Sequence, residues 1–242
     1  MLEATEVNQG RHEEFPNLSP GELHLWRVST EISPLSYEKC KNALSEKELS
    51  KVPFFKFEQV RDSFIVCQGT LRLLLSEYLS ISPKNVNIGR RKKGKPYSLD
   101  DPGLYFNISN SGEMAVFAFS RDGEVGVDIE KIRDLPDLDE LISKNFTSGE
   151  IRFINNKPEE KTKRFFRFWT VKESYLKAIG EGMRLTPDSI EFDLSKDRIR
   201  QLSFVDVFKQ EDWNFKEFSI ASEYVGTISY LEANVKIKLM EY

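Results

Sequence analysis

Three short stretches of this chain carry side chains whose types and spacing suit phosphate chemistry. In VGVDIEK, residues 125–131, Asp128 and Glu130 stand two apart on a predicted strand, so both carboxylates leave one face while Val127 and Ile129 leave the other. Two converging carboxylates make an oxygen-only site that suits Mg²⁺, an ion that takes a few carboxylates together with phosphate and water. In FRFWTVKESYLKAIGEG, residues 166–182, Trp169, Glu173 and Lys177 follow at i, i+4 and i+8 along one helical stripe, with Lys172 and Leu176 beside it. The third stretch is RRKKGKPYS at 90–98 with YFNISNSG at 105–112. There Gly94 permits close backbone approach, Lys95 offers a point charge to phosphate, and Ser109, Asn110 and Ser111 offer uncharged donors.

Each stretch alone has an ordinary reading: a solvated strand face, an i,i+4 ion pair worth about 0.2–0.5 kcal/mol, a solvated basic loop. Together, a third carboxylate and a lysine beside a two-carboxylate strand are what a metal-assisted phosphate reaction needs.

The rest of the chain narrows the chemistry. It has 242 residues, 39% hydrophobic and 31% charged, with net charge −4, a composition that buries a real core and excludes global disorder. The longest wholly apolar run, Met114 to Phe119, is far short of the roughly 18–20 residues of a membrane span, and the N-terminus lacks the basic and apolar regions of a signal peptide. Cys40 and Cys67 are too few for a disulfide framework or zinc site and read as buried reduced thiols, giving a cytoplasmic location. His12 lies in the leader and His24 in an opening strand, so no His base is at hand. The cations at 90–95 nevertheless call for a local anionic ligand.

The periodicity predicts a strand over 21–28, a helix over 37–50 with a cap at Ser45, a longer helix over 57–79, and strands at 86–88, 104–108, 114–119 and 125–130. Helical patterns follow at 138–153 and 160–179, then strands toward the C-terminus. A shift of 105 residues lays Phe64 on Trp169, and a shift of 110 lays 114–119 on 224–229, which suggests an internal duplication. The expectation is an α+β fold of two similar halves: a flexible leader over 1–20, one half over 21–124, and a second over 125–242 carrying the metal ligands.

In this order and spacing the segments resemble the 4′-phosphopantetheinyl transferase superfamily, and the surfactin-synthetase type within it. Its G-x-D-x-E signature is matched by Gly126 to Glu130 and its W-x-x-K-E-x-x-x-K by Trp169 to Lys177. G-K-P is matched by Gly94, Lys95 and Pro96, and F-N-x-S-H-S by Phe106 to Ser111, with Asn110 where the family has His.

The resemblance implies two halves related by pseudo-twofold symmetry with the site between them, in a monomer. The implied reaction moves the 4′-phosphopantetheine arm of coenzyme A to a serine of an acyl or peptidyl carrier protein and releases adenosine 3′,5′-bisphosphate. Fatty-acid, polyketide and nonribosomal-peptide carriers remain open. It implies Mg²⁺, or Mn²⁺, on Asp128, Glu130 and Glu173, with Glu173 or a metal-bound water as base and Lys177 serving the departing phosphate. Coenzyme A would be held by Lys51, Arg61, Lys95, Pro96, Ser109, Asn110, Lys172 and Lys177.

An acidic carrier would dock on the basic stretch from Lys157 to Arg167. A coenzyme A binder without transfer leaves the retained carboxylates unexplained, as does a nucleic-acid module on the basic loop. No nucleic acid and no membrane are expected as partners.

Overall fold

The computed structural model describes residues 15–180, 185–195, 199–202 and 212–242. Strand β1 (Glu22–Ser29) leads into helix α1 (Pro34–Ala43), short helix α2 (Glu46–Leu49) and long helix α3 (Glu58–Leu79). A small ribbon of β2 (Ile88–Arg90) and β3 (Pro96–Ser98) precedes the hairpin β4 (Tyr105–Ser111) and β5 (Met114–Ser120).

The same order then recurs. Strand β6 (Val125–Lys131) is followed by α4 (Leu138–Asn145), α5 (Ser148–Asn155), long helix α6 (Lys161–Ile179), and a two-residue pair, β7 (Phe192–Asp193) with β8 (Arg200–Gln201). The second hairpin is β9 (Asn214–Phe218) and β10 (Tyr224–Tyr230), and β11 (Lys236–Glu241) closes the chain.

The strand order is β1-β5-β4 in the first half and β6-β10-β9 in the second, all antiparallel, so the duplication suggested by sequence offsets is carried by topology. The outermost strand of the first sheet is β11, which pairs in parallel with β1. The second half as drawn over 125–242 therefore gives its last strand to the first. Such a pairing between the two ends of a chain leaves no local sequence signal.

The leader also ends earlier than residue 20. Phe15 stacks on Trp26 at 5.3 Å and Leu18 is buried in the first core, while 1–14 lie outside the described residues.

Helix α3 covers the first sheet, where Leu71, Leu74 and Leu75 meet Trp26, Phe106, Phe117 and Phe119. Helices α4 to α6 build a second core around Phe146, Phe166, Phe168 and Tyr175. A third cluster joins the sheets: Leu23, Leu25, Val116 and Ala118 from one, Val125, Val127, Ile129 and Ile228 from the other. Each such fully buried side chain contributes about 1.5–3 kcal/mol, so the halves are fused by a shared core and not merely tethered.

Two predicted helices are split by caps. Ser45 opens α2 with a capping box to Glu48, and Thr147 opens α5 with another to Glu150. Strand β6 lies under α6, and Gly126 makes this possible: a Cβ there would collide with the Ser174 carbonyl and Ala178.

Candidate active site

The seam between the halves is stitched by side chains in place of a backbone ladder. On β4 the polar residues Asn107, Ser109 and Ser111 recur every second position and face β6. Asn107 Oδ1 accepts from the Val127 amide at 2.9 Å, Ser109 Oγ from Ile129 at 3.4 Å and Ser111 Oγ from Lys131 at 3.1 Å. The same hydroxyls donate to the candidate carboxylates, Ser109 to Asp128 Oδ1 at 2.8 Å and Ser111 to Glu130 Oε2 at 2.7 Å. Asn107 and the positioning role of Ser111 were missed by sequence reasoning, although the period-two polar face opposite Phe106 and Ile108 was the signal.

Beside this seam lies a cleft of about 810 Å³. Its walls hold Lys95, Pro96, Ser109 and Asn110 from the first half and Asp128, Glu130, Trp169, Glu173 and Lys177 from the second. Lys177 Nζ donates to Asp128 Oδ1 at 2.7 Å, to Ser109 Oγ at 2.8 Å and to the Val127 carbonyl at 3.3 Å.

Asp128 is only 4% exposed, and its second oxygen, Oδ2, is buried without a hydrogen-bond partner. Burial raises its pKa, against the pull of Lys177 and Ser109. Burial also raises that of Glu173, helped by the negative charge of Asp128 and then Glu130. Glu130 sits nearer solvent, held by Ser111 and by Arg133 at 3.1 Å.

Among the described residues no three His, Cys, Asp or Glu side chains converge into a ready-made metal shell. The donor set nevertheless fits a divalent cation. Asp128, whose Oδ2 is buried and unpartnered, lines the cleft with Glu130 and Glu173, and two of these three carboxylates have raised pKa values, costs that a bound cation would relieve.

Three of the expected coenzyme A ligands do not line this cleft. Lys172, on α6, is fully buried, paired with Glu150 at 2.7 Å and donating to the Pro187 and Ile190 carbonyls at 2.6 Å each. It buttresses the 185–187 wall of the cleft from behind and does not enter it. Arg61 is tied to Glu58 at 2.7 Å and Asp62 at 2.9 Å, and Lys51 is exposed beyond the cleft. Lys95 does line the cleft, but its ammonium is turned into the protein, to Glu124 at 2.6 Å and the carbonyls of Val125 and Ala178 at 3.0 and 2.6 Å.

The basic stretch expected as a docking face is largely self-paired as well. Lys157 and Arg164 hold Glu160, Lys161 holds Asp139, and Arg167 makes a two-pronged pair with Glu217.

His24 is buried in β1 against Tyr78, its pKa pushed down to about 4 by burial, far from any role in the cleft. Cys40 and Cys67 are free and buried. Among the described residues no helix is long and apolar enough to cross a membrane.

Comparison with known proteins gives a consistent picture. Residues 124–229 match the family model described as the 4′-phosphopantetheinyl transferase superfamily, and residues 30–122 match a model described as 4′-phosphopantetheinyl transferase, N-terminal. The chain is 36% identical over 174 residues to 4′-phosphopantetheinyl transferase HetI of Nostoc, covering 69% of this chain and 73% of that one. It is 29% identical over 206 residues to the human L-aminoadipate-semialdehyde dehydrogenase-phosphopantetheinyl transferase, covering 77% and 67%. Against the 4′-phosphopantetheinyl transferase gsp of Aneurinibacillus migulanus it is 34% identical over 155 residues, covering 63% and 62%.

Proposed function

The chain belongs to the 4′-phosphopantetheinyl transferase superfamily and transfers the 4′-phosphopantetheine of coenzyme A to a carrier protein, and we propose that it does so in the cleft between β4, β6 and α6. The observation that carries this placement is the buried, unpartnered Oδ2 of Asp128 beside Glu173 and Lys177.

In the proposed reaction the hydroxyl of the carrier serine attacks the phosphorus that bears the pantetheine arm. Its proton passes to Glu173, whose carboxylate is made a stronger proton acceptor by burial and by the negative charge of Asp128. The bond to the bridging pyrophosphate oxygen breaks, and the electron pair leaves with adenosine 3′,5′-bisphosphate. Lys177, held at the cleft by Ser109 and Asp128, supplies a fixed cation for that charge.

Asp128, Glu130 and Glu173 are the proposed ligands of Mg²⁺, with Mn²⁺ as the alternative, and the ion when bound would neutralise charge on the pyrophosphate. Ser109, Asn110 and Pro96 would line the coenzyme A path. The two buried thiols suit a reducing compartment, so the proposed location is the cytoplasm. Both walls of the cleft come from one chain, which makes a monomer a sufficient working unit.

Intact-mass measurement of apo carriers incubated with the protein, Mg²⁺ and coenzyme A tests the proposal. A gain of one phosphopantetheine on the serine, abolished by chelation, is expected. Transfer that persists unchanged under chelator would overturn the metal assignment.

A further inference from the structure

The surface beside α3 combines exposed aromatic side chains with cations that no acid of the described residues engages. Residues 51–60 join α2 to α3, and here large apolar side chains point outward: Phe54 is 84% exposed, Phe57 70% and Val60 52%. Isolated exposed apolar groups are ordinary, but aromatic groups this exposed and this close together mark an interaction surface.

Phe57 also occupies the N-cap of α3 and makes no side-chain cap bond. A Ser, Asp or Asn there would stabilise the helix by about 1 kcal/mol, so local stability is forgone for an outward aromatic ring. Lys51 and Lys56 are interleaved with these groups, exposed, and among the described residues neither has an ion-pair partner. The neighbouring acids Glu58 and Asp62 are both held by Arg61. The patch therefore presents apolar anchors flanked by two unpaired lysines.

Beneath it runs a groove of about 440 Å³ lined by Phe55, Val60, Phe64, Cys67, Ile108 and Asn110. Ile108 and Asn110 also line the catalytic cleft. Asn110 Nδ2 donates to Ser63 Oγ at 3.3 Å, bridging β4 to α3 on the saddle between the two depressions. A protein seated on 51–60 thus lies next to the opening over which a serine must reach Glu173.

We infer that residues 51–60 and the groove below them form the docking face for the carrier protein, a partner with carboxylates around an apolar anchor beside its acceptor serine. The inference rests on the transferase reading and deepens it. Charge complementarity favours this occupant: Lys51 and Lys56 are both unpaired beside exposed aromatic groups, whereas in the 157–167 stretch Lys157, Lys161, Arg164 and Arg167 are held by acids of this chain and Lys163 alone is exposed without an ion pair.

The test is steady-state transfer with the Phe54→Ser/Phe57→Ser double variant and with Lys56→Glu, varying carrier and coenzyme A separately. The double variant should raise the carrier KM at least about tenfold, as loss of central aromatic anchors does, with the coenzyme A KM within about twofold and the thermal midpoint unchanged. Lys56→Glu should raise the carrier KM by a smaller factor that fades as salt is added.

An unchanged carrier KM overturns the inference. A parallel rise in the coenzyme A KM overturns it too, by giving the groove to the nucleotide. A dimer in light scattering that the double variant dissolves would assign the face to a second copy. Calorimetric titration of apo carrier into wild type and double variant separates docking from chemistry: equal affinity refutes the docking face even if no transfer occurs. Normal docking without transfer by the wild type counts against the transferase reading alone.

Discussion

Two lysines line the same cleft, each against a carboxylate, and their surroundings differ in completeness. Lys95 has its ammonium closed in by Glu124 and two backbone carbonyls, and its side chain is 6% exposed. Lys177 is 29% exposed, shares Ser109 with Asp128, and its partner keeps one buried oxygen without any hydrogen bond. Around Lys95 the ammonium donates to three acceptors of this chain, whereas beside Lys177 one oxygen of Asp128 lacks a donor. Buried polar groups are ordinarily satisfied, so the proposed reading takes a deficit beside raised carboxylate pKa values as the place of the chemistry and the complete set around Lys95 as structural.

The largest expected effect is at Asp128. Asp128→Asn keeps shape and takes away the charge, so transfer should fall by at least about 10²-fold, the consequence of losing several kcal/mol of transition-state stabilisation. Its thermal midpoint should be no lower than that of the wild type, since a carboxylate disfavoured by burial is neutralised. A folded variant with near-normal turnover breaks the comparison on its reactive side.

Next comes the complete side. Lys172→Met would leave Glu150 buried and unpaired at 0% exposure, at a cost of about 3–5 kcal/mol read from denaturant unfolding. Adding Glu150→Leu should recover most of that loss, because the orphaned charge goes with it.

The pH dependence sharpens the contrast. A carboxylate whose folded pKa is raised binds its proton more tightly in the folded state, so it costs stability at neutral pH and the cost disappears as pH falls through the raised value. Without divalent cation, Glu173→Gln should therefore melt above the wild type near about pH 7, and the two should converge on acidification. A gap that widens toward acid would mean the Glu173 pKa is lowered.

The smallest effect concerns Asn110. A charged imidazole on phosphate binds about twice as strongly as a neutral amide, so Asn110→His should tighten coenzyme A by on the order of 1 kcal/mol at mildly acidic pH, fading as the ring deprotonates. No gain at either pH in titration calorimetry would move Asn110 away from the phosphates and leave it to the saddle with Ser63.

Much of this site could be read from periodicity. The two-residue step of Asp128 and Glu130, and the four-residue steps of Trp169, Glu173 and Lys177, describe one strand face and one helix stripe, and the structure lines a single cleft with all five. Which way a lysine turns could not be read so. Lys95 and Lys172 sit in motif positions, and their direction is set by Glu124 and Glu150, acids 29 and 22 residues away in sequence that only the tertiary fold brings near. For the same reason Lys161 and Arg167 read as open charge, their partners Asp139 and Glu217 being remote in sequence, whereas the pairing of Lys157 and Arg164 with Glu160 was legible in its helical spacing. The split at Thr147 was legible in its T-x-x-E spacing, and the return of β11 to β1 was not, since parallel pairing across more than 200 residues has no local mark.

The most direct test sets the two lysines side by side. Lys177→Met and Lys95→Met are compared by transfer kinetics to one apo carrier and by thermal unfolding. The expected result is a fall of at least about tenfold in kcat with a nearly unchanged midpoint for Lys177→Met. For Lys95→Met it is nearly unchanged kcat with a loss of about 1–3 kcal/mol, from the hydrogen bonds to Glu124 and the Val125 and Ala178 carbonyls that go with the ammonium. The reverse pattern, a catalytic loss at Lys95 and a stability loss at Lys177, would contradict the account.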